Sequence, residues 1–184
     1  LDRWIAKLGD IITLIVNEVN IGLTKSLNKG ITAIDTDYIA RMDSDDVSRP
    51  DRFAVQSEFL DTHKDVAVIG AYIQEFSDIC ENLGVRKFPL DTAGAKKLIY
   101  KANPLAHPAV MMRKSMFDDG ISYDENYRTS QDLALWFDIL TAGYNVANID
   151  KVLLNFRRND SVYKRRSNRK DSNLEFKVHE KGIY

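Results

Sequence analysis

The sequence predicts an α/β fold in which helices flank a mostly parallel sheet, and two observations favour it. Segments with helical and with strand periodicity alternate along the chain, which is typical of α/β layering. Residues 11–16 are a continuous apolar, largely β-branched run, as expected of a strand buried on both faces. The 184 residues are 44% hydrophobic and 29% charged, which is enough for one sizeable core.

Two helices and two strands are expected in the first part of the chain. Residues 1–8 carry apolar side chains on one face, which is typical of the end of a helix. Residues 11–16 follow as the first strand. Leucine and isoleucine recur at helical spacing over residues 23–31 and predict the next helix. Residues 38–42 predict a second short strand, which ends abruptly in an Asp-rich segment.

A helix is then expected over residues 48–62, because proline suits a first helical turn and Pro50 stands there. This helix should bury Phe53 and Leu60. The remaining predicted elements are a strand at 66–76, a helix at 92–101, a strand at 109–112, a helix at 131–142, and strands at 145–148 and 152–157. Gly143 is expected to terminate the last of these helices.

The composition excludes several classes of protein. No apolar run approaches the roughly 20 residues that span a bilayer, and the first residues lack the pattern of a signal peptide. Cys80 is the single cysteine, so an internal disulfide is excluded and a reducing compartment is expected. The three histidines and Cys80 share no zinc-ligand spacing. We therefore expect a cytoplasmic protein.

Charge is distributed unevenly along the chain. Residues 157–184 contain nine Lys and Arg against four acidic residues, a net charge of +5, so residues 1–156 carry −6. Such a basic segment suits an anionic membrane surface or a phosphate-bearing substrate, or it is simply solvated. Nucleic acid is not expected as a partner, because aromatic residues that could stack on bases, such as Tyr163 and Phe176, are few in this segment.

Three aspartates follow the second predicted strand: Asp43, Asp45 and Asp46. Their charges repel one another, so they stay ionised near neutral pH only where a cation or hydrogen-bond donors offset the repulsion. Divalent cations are held by carboxylates together with phosphate oxygens, and α/β proteins bind ligands beyond the carboxyl ends of strands. The alternative is an Asp-rich turn whose side chains cap the helix that begins near Ser48.

Two other segments carry side chains suited to chemistry. Asp132 opens the predicted helix at 131–142, where it either caps the helix or serves as a general base at the mouth of a pocket. His107 lies in a proline-flanked loop and is either a structural or a catalytic residue. Arg49 and Arg52 either offset the aspartate charges and bind phosphate, or form surface ion pairs.

Five sequence blocks occur in a defined order. They are residues 20–23 (NIGL) with 27–30 (LNKG), 39–46 (IARMDSDD) with 50–53 (PDRF), 107–113 (HPAVMMR), 131–136 (QDLALW) and 152–157 (VLLNFR). Together they resemble the family 2 glycosyltransferases, whose fold is GT-A, a Rossmann-like α/β fold, and the resemblance covers about residues 1–158. The family usually has Glu-Asp where this chain has Gln131-Asp132. The resemblance also implies that the family's opening strands precede residue 1, so that the chain is an N-terminally truncated GT-A domain.

The resemblance implies transfer of a sugar from a nucleotide-diphosphate donor to an acceptor hydroxyl, with inversion at the anomeric carbon. Asp43 and Asp45 would be the metal motif and, with Asp46, would hold Mn²⁺ or Mg²⁺ against the donor diphosphate. Asp132 would be the catalytic base. The donor-binding set implied by analogy is Asn20, Gly22, Asn28, Asp43, Asp45 and His107.

The resemblance also sets expectations for the chain as a whole. Residues 1–158 would be the glycosyltransferase domain, and residues 159–184 a basic extension in peripheral contact with lipid. The expected role is bacterial cell-surface polysaccharide synthesis at the cytoplasmic face of the membrane, with a saccharide or lipid-linked acceptor. A fragment without the opening strands would bind donor weakly and would associate with further copies through exposed sheet edges.

Two other functions stay open at the level of sequence. Residues 43–47 (DSDDV) also fit the loop of haloacid-dehalogenase-like phosphatases and phosphotransferases, in which one Asp is a nucleophile. That loop usually follows the first strand of its domain, whereas here another predicted strand and helix precede it. The second alternative is a truncated, non-catalytic binding module that acts through the basic extension.

Overall fold

The computed structural model describes residues 2–158 as a series of helices and strands. The helices are α1 (Asp2–Leu8), α2 (Leu23–Thr32), α3 (Arg52–Thr62), α4 (Thr92–Leu98), α5 (Lys114–Asp118) and α6 (Gln131–Thr141). The strands are β1 (Tyr38–Ala40), β2 (Val47–Ser48), β3 (Val66–Phe76), β4 (Gly84–Arg86), β5 (Met111–Arg113) and β6 (Asn145–Arg157). Two 3₁₀ turns lie at Gly9–Ile11 and His107–Ala109.

The six strands form one sheet in the order β1-β5-β3-β6-β2, with β4 paired to the later part of β3. The long central pair, β3 and β6, is parallel, and the other pairings among the described strands are antiparallel. The α/β prediction is therefore confirmed, but the sheet is mixed rather than mostly parallel. Parallel neighbours need a crossover of about a dozen residues or more, and the short connection at residues 77–83 returns β4 antiparallel to β3.

Helix α6 packs its apolar side chains into the main core. Leu135, Trp136 and Ile139 are fully buried, in one cluster with Val68 of β3 and Val146 of β6. Burial of one such side chain contributes about 2 kcal/mol, so this cluster holds α6 firmly against the centre of the sheet. Gly143 follows the helix with a φ of +88° and ends it as predicted.

The strand predicted at residues 11–16 is wrong. Gly9–Ile11 is a 3₁₀ turn, and residues 12–16 have no regular secondary structure. Ile11, Leu14 and Val16 are exposed, and no strand in the described part of the chain pairs with this run. An apolar β-branched run becomes a buried strand only where neighbouring strands and covering layers are present.

Helix α3 starts later and faces differently from the prediction. Val47–Ser48 forms β2, and the helix begins only at Arg52. Leu60 is buried as predicted, but Phe53 is 57% exposed. Arg52 and Gln56 instead share the inward stripe with Leu60, because residues four apart lie on one helical face.

The strands predicted at 145–148 and 152–157 are a single strand, β6, whose register against β3 shifts at residues 71–73. The strand at 66–76 and the helix at 131–142 are confirmed, the helix ending one residue earlier. Across residues 2–158, none of the helices combines the length and the apolarity that crossing a bilayer requires. The boundary at residue 158 stays a prediction, since residues 159–184 lie outside the described residues.

Candidate active site

The three aspartates predicted to bind a metal lie together beyond the end of β1, in a segment (residues 43–46) termed here the acidic turn. Asp43, Asp45 and Asp46 each offer a carboxylate oxygen, and these oxygens all lie within 4.8 Å of one another. The turn connects β1 to β2, the two strands at the ends of the sheet order. Carboxylate oxygens gathered in this way suit a hard divalent cation.

Asp46 is the buried member of the acidic turn. Its Oδ1 accepts the backbone N–H of Arg157 at 2.8 Å, and its Oδ2 is buried without a hydrogen-bond partner among the described residues. Burial above all, followed by the charges of Asp43 and Asp45, raises the pKa of Asp46 from 3.8 to about 6. An unpartnered buried carboxylate oxygen is costly, and a cation held there would remove that cost. The donor set therefore fits a divalent cation.

Arg41 pairs directly with the acidic turn. Its Nη1 and Nη2 donate to the two oxygens of Asp43 at 2.9 and 2.6 Å, and its side chain is 9% exposed. The backbone N–H of Arg41 donates to the carbonyl of Val110 at 3.1 Å. Bidentate arginine–carboxylate pairs are strong and directional, so Arg41 fixes the orientation of the Asp43 carboxylate.

The end of β6 braces the other side of the acidic turn. Arg157 donates from Nε to the backbone carbonyl of Asp45 at 3.0 Å, and its Nη1 forms an ion pair with Asp78. The Arg157 guanidinium also lies over the ring of Phe76, 4.5 Å from the ring centroid. With the N–H contact to Asp46, these interactions hold the turn against the ends of β3 and β6.

Arg52 of α3 supports the site from within the core. It is fully buried, and its Nη2 donates to the carbonyls of Arg41 and Val110 at 2.7 and 3.0 Å. Burial lowers the pKa of Arg52 to about 10, so the guanidinium stays charged at neutral pH. The surface ion pair considered for Arg52 is therefore wrong. Its side chain ties Arg41, just after β1, to Val110, just before β5.

Gln56 completes this support, and the sequence analysis missed it. Its Oε1 accepts Nε of Arg52 at 2.9 Å, and its Nε2 donates to the carbonyls of Ala109 and Ile69 at 2.8 and 3.2 Å. The spacing of Gln56 in the sequence could have identified it, because positions 52, 56 and 60 fall on one helical face and Leu60 was expected to be buried.

Asp132 lies in the first turn of α6, near the positive end of the helix dipole. Its Oδ2 accepts Nδ2 of Asn103 at 2.7 Å. Ser130 enters the helix with a φ of +56°, which is uncommon for a residue other than glycine. The contact between Asn103 and Asp132 was not predicted from the sequence, and it gives the carboxylate a defined orientation.

His107 is buried rather than open to solvent. Its Nε2 lies 2.6 Å from the hydroxyl of Tyr123, and its ring meets that of Trp136 edge-on. Burial lowers the pKa of His107 well below its usual value, so the imidazole is neutral at physiological pH. The charge of Arg41 acts on both His107 and Tyr123, and the charge of Asp132 also acts on Tyr123. The buried pair therefore lies within electrostatic reach of both candidate centres.

The residues predicted to lie near the nucleotide are found in α2 and the turn before it. The Oδ1 of Asn20 accepts the N–H of Gly22 at 3.0 Å, and Gly22 has a φ of +84°, which glycine adopts without strain. Asn28 donates to the carbonyl of Tyr123 at 2.9 Å and accepts its N–H at 3.0 Å. Asn28 is thus joined to His107 through Tyr123, whereas the contact between Asn20 and Gly22 lies within the turn.

Two cavities among the described residues lie away from the acidic turn and Asp132. One of about 440 Å³ opens beside Asn28 and Tyr123, and one of about 460 Å³ opens beside Tyr38 and Arg113. Neither is lined by Asp132 or by the aspartates of the acidic turn. Neither of these two cavities therefore joins the acidic turn to Asp132.

The family model described as Glycosyl transferase family 2 matches residues 1–121, well over half of the chain. The chain belongs to glycosyl transferase family 2. The matched region contains the acidic turn and His107, and Asp132 lies beyond it.

Curated family 2 relatives match most of the chain. The amylovoran biosynthesis glycosyltransferase AmsE of Erwinia amylovora is 33% identical over 165 residues, covering 89% of this chain and 60% of the relative. The UDP-Gal:alpha-D-GlcNAc-diphosphoundecaprenol beta-1,3-galactosyltransferase of Escherichia coli is 31% identical over 161 residues, covering 88% of this chain and 58% of the relative. The chain thus spans about 60% of the length of these relatives, some of which act in polysaccharide biosynthesis.

Solved structures resemble the chain as well. S. aureus TarS 1-349 aligns with a TM-score of 0.63 at 18% identity, covering 88% of this chain and 49% of that one. Its complex with UDP-GlcNAc gives a TM-score of 0.63 at 17% identity, covering 85% of this chain and 46% of that one. At these identities the likeness speaks to the fold alone, and the predicted GT-A fold is confirmed.

Proposed function

We propose that this chain takes part in transferring a sugar from a nucleotide-diphosphate donor to an acceptor hydroxyl, with a divalent cation and with inversion at the anomeric carbon. One observation carries the proposal: three carboxylates gather within 4.8 Å in the acidic turn, and one of them keeps a buried, unpartnered oxygen. Family membership supports the reaction class, and the acidic turn is the proposed place of the donor diphosphate.

Asp43, Asp45 and Asp46 are the proposed ligands of Mn²⁺ or Mg²⁺, shared with oxygens of the donor diphosphate. A bound divalent cation stabilises the negative charge that develops on a leaving diphosphate. The chain contributes the orientation of the ligands, because Arg157 holds the backbone of Asp45 and the carboxylate of Asp46.

Asp132 is the proposed catalytic base. In a single displacement, the acceptor oxygen bonds to the anomeric carbon while the bond from that carbon to the diphosphate oxygen breaks. The hydroxyl proton passes to the Asp132 carboxylate, and the electron pair of the broken bond leaves with the nucleoside diphosphate. Asn103 holds one carboxylate oxygen of Asp132, which leaves the other available for the acceptor.

The remaining predicted donor-binding residues have positioning roles in this proposal. Asn28 hydrogen-bonds to the backbone of Tyr123 and His107 hydrogen-bonds to its hydroxyl, so both residues fix the position of Tyr123 without supplying charge. Asn20 and Gly22 form the turn before α2, and their proposed place is beside the nucleotide.

The proposed setting is bacterial cell-surface polysaccharide synthesis at the cytoplasmic face of the membrane. The name of one relative specifies an acceptor on diphosphoundecaprenol, which supports a lipid-linked acceptor. Residues 1–158 are the proposed catalytic part, and residues 159–184 the proposed contact with anionic lipid, because the segment from residue 157 onward carries a net charge of +5.

The phosphatase alternative has little support beside this proposal. The family match is to glycosyltransferases. A non-catalytic binding module differs from the proposal in one measurable way, since it would tolerate Asp132→Asn.

Calorimetric titration of UDP and of GDP, with and without Mn²⁺, tests donor binding by the acidic turn. We expect one nucleotide to bind when Mn²⁺ is present and to lose measurable binding in Asp45→Asn. The matched control is Asp51→Asn, which removes an exposed aspartate paired with Lys151 outside the turn and should bind like the wild type. Binding of neither nucleotide, or equal binding by Asp45→Asn, would contradict the proposal.

Asp132→Asn separates catalysis from donor binding. The asparagine side chain has nearly the same size as aspartate but cannot accept the proton of the acceptor hydroxyl. Nucleotide affinity should therefore stay within about twofold of the wild type, while turnover of a nucleotide-sugar should fall by about a hundredfold or more. Turnover is measured as release of nucleoside diphosphate from a panel of UDP- and GDP-sugars. Unchanged turnover in a chain that turns over donor would remove Asp132 from the mechanism.

A further inference from the structure

Arg41 is a buried cation at the edge of the proposed donor site. In the part of the chain that the structure describes, it is the one side chain ion-paired with a carboxylate of the acidic turn. Its guanidinium engages both oxygens of Asp43, and its side chain is 9% exposed while that of Asp43 is 41% exposed. The more exposed partner can therefore turn toward a ligand while the buried cation stays in place.

The backbone of Arg41 is fixed on both sides. Its N–H donates to the carbonyl of Val110 at 3.1 Å, and its carbonyl accepts Nη2 of Arg52 at 2.7 Å. The two neighbouring arginines are committed elsewhere: Arg52 to backbone carbonyls and Gln56, and Arg157 to Asp78 and the backbone of the turn. Among the described ion pairs, Arg41 is thus the arginine whose guanidinium contacts a carboxylate of the acidic turn.

The positive charge of Arg41 also influences two buried side chains. It acts on the buried pair His107 and Tyr123, and Tyr123 also experiences the charge of Asp132. The positive charge of Arg41 therefore acts both on the acidic turn and on this buried pair.

A charge balance explains why such a cation is needed. The acidic turn carries three carboxylates, and a divalent cation offsets two of their charges. The diphosphate of a nucleotide-sugar is itself anionic and gains a further negative charge when the glycosyl bond breaks. Without another positive group the site would repel its own leaving group.

We propose that Arg41 is a donor-binding residue that pairs with Asp43 in the free protein and with the donor diphosphate in the complex. This inference rests on the proposed function and assigns the second positive charge of that site. If Arg41 has this role, its loss should raise the affinity of the protein for the cation and lower its affinity for the nucleotide. Loss of a merely structural residue would weaken both together.

The test measures Mn²⁺ affinity without nucleotide, and UDP and GDP affinity at saturating Mn²⁺, on the full 184-residue chain. In Arg41→Gln, Mn²⁺ affinity should rise about fivefold, because a competing positive charge has left, while nucleotide affinity should fall about tenfold. Arg41→Lys keeps the charge but loses the two-pronged geometry, so its Mn²⁺ affinity should match the wild type and its nucleotide affinity should lie between the two.

Lys151→Gln is the matched control, because it removes one positive partner of an aspartate in an exposed pair away from the turn. It should change neither affinity by more than about twofold. Parallel loss of both affinities in Arg41→Gln, or no change in either, would overturn the role of Arg41 while leaving donor binding by the wild type intact. Absence of nucleotide binding in the wild type would overturn the proposed function and this inference together.

Discussion

At the scale of single residues, Asp46 combines burial with negative charge. It is 7% exposed, and one of its oxygens has no hydrogen-bond partner among the described residues. The pKa of Asp46 is about 6 in the folded chain against 3.8 for an ordinary Asp, with burial as the main cause. The folded state therefore binds an additional proton between these two pH values, and the metal-free protein is less stable above pH 6 than it would be with a neutral side chain.

Asp46→Asn should stabilise the metal-free protein at pH 8 by about 1 kcal/mol. The raised pKa corresponds to a cost on the order of 3 kcal/mol for the ionised form, and a buried amide N–H without a partner takes back part of the gain. The advantage should shrink as pH falls through 6 and reverse before pH 4, where the wild-type carboxyl is protonated and only the cost of the buried amide remains. Thermal unfolding in EDTA across this pH range measures it.

Mn²⁺ provides the control for this prediction. Binding to the folded state alone raises stability, so Mn²⁺ should raise the melting temperature of the wild type at pH 8 and leave that of Asp46→Asn nearly unchanged. A variant that is less stable than the metal-free wild type at every pH would show that the Asp46 carboxylate is stabilised without a cation.

Sequence reasoning found the acidic residues of the site but not the side chains that hold them. Asp43, Asp45 and Asp46 are adjacent in the chain, so their clustering is visible in the sequence and appears in the structure. The support comes from far away: Arg157 lies 111 residues from Asp46, and Asn103 lies 29 residues from Asp132. Such contacts follow from the folded topology, which a local pattern does not contain.

At the scale of elements, β3 is the strand on which the sheet is built, since it pairs with β4, β5 and β6. Gly70 lies at its centre. A Cβ at this position would lie 2.1 Å from Oδ1 of Asn148 and 2.9 Å from Cδ2 of Leu105. Asn148 cannot easily move away, because its Nδ2 donates to the carbonyls of Pro89 and Pro104 at 2.7 and 3.1 Å.

Gly70→Ala should therefore destabilise the fold by about 2–3 kcal/mol, the cost of overpacking together with disturbed hydrogen bonds. Gly30→Ala is the matched substitution, since no atom lies within 4 Å of its Cβ position in α2. That variant should be neutral or more stable by up to about 1 kcal/mol, because alanine favours a helix. Urea unfolding compares the two, and equal effects would show that the close approach at Gly70 carries no cost.

Elements with strong periodicity were predictable, and those that depend on partners were not. The helix at 131–142 and the strand at 66–76 are found almost as predicted, because long apolar patterns determine both their type and their extent. The run at 11–16 has the composition of a strand but no pairing partner in the described residues. The two-residue strand β2 has no periodicity from which it could be recognised.

At the scale of the whole molecule, the chain combines a confirmed GT-A fold with a site that lies at the end of its sheet. It spans about 60% of the length of its curated relatives, so the activity of the whole protein remains a proposal. What the described residues contain is a coherent arrangement. Buried Arg52 and Gln56 fix the strand ends, Arg41 and Arg157 hold the acidic turn, and Asp132 begins the helix that packs on the core.

The central claim is that the acidic turn binds a divalent cation together with a nucleoside diphosphate. Paramagnetic broadening by Mn²⁺ in ¹⁵N-labelled chain, recorded with UDP or GDP present, tests it most directly. We expect the amide signals of residues 41–46 and of Arg157 to disappear first, and to persist in Asp45→Asn at the same Mn²⁺ concentration. Broadening centred instead on the cavity beside Tyr38 and Arg113, which Asp61 and Asp118 also line, would contradict the account. Broadening at the acidic turn that is unchanged in Asp45→Asn would contradict it as well.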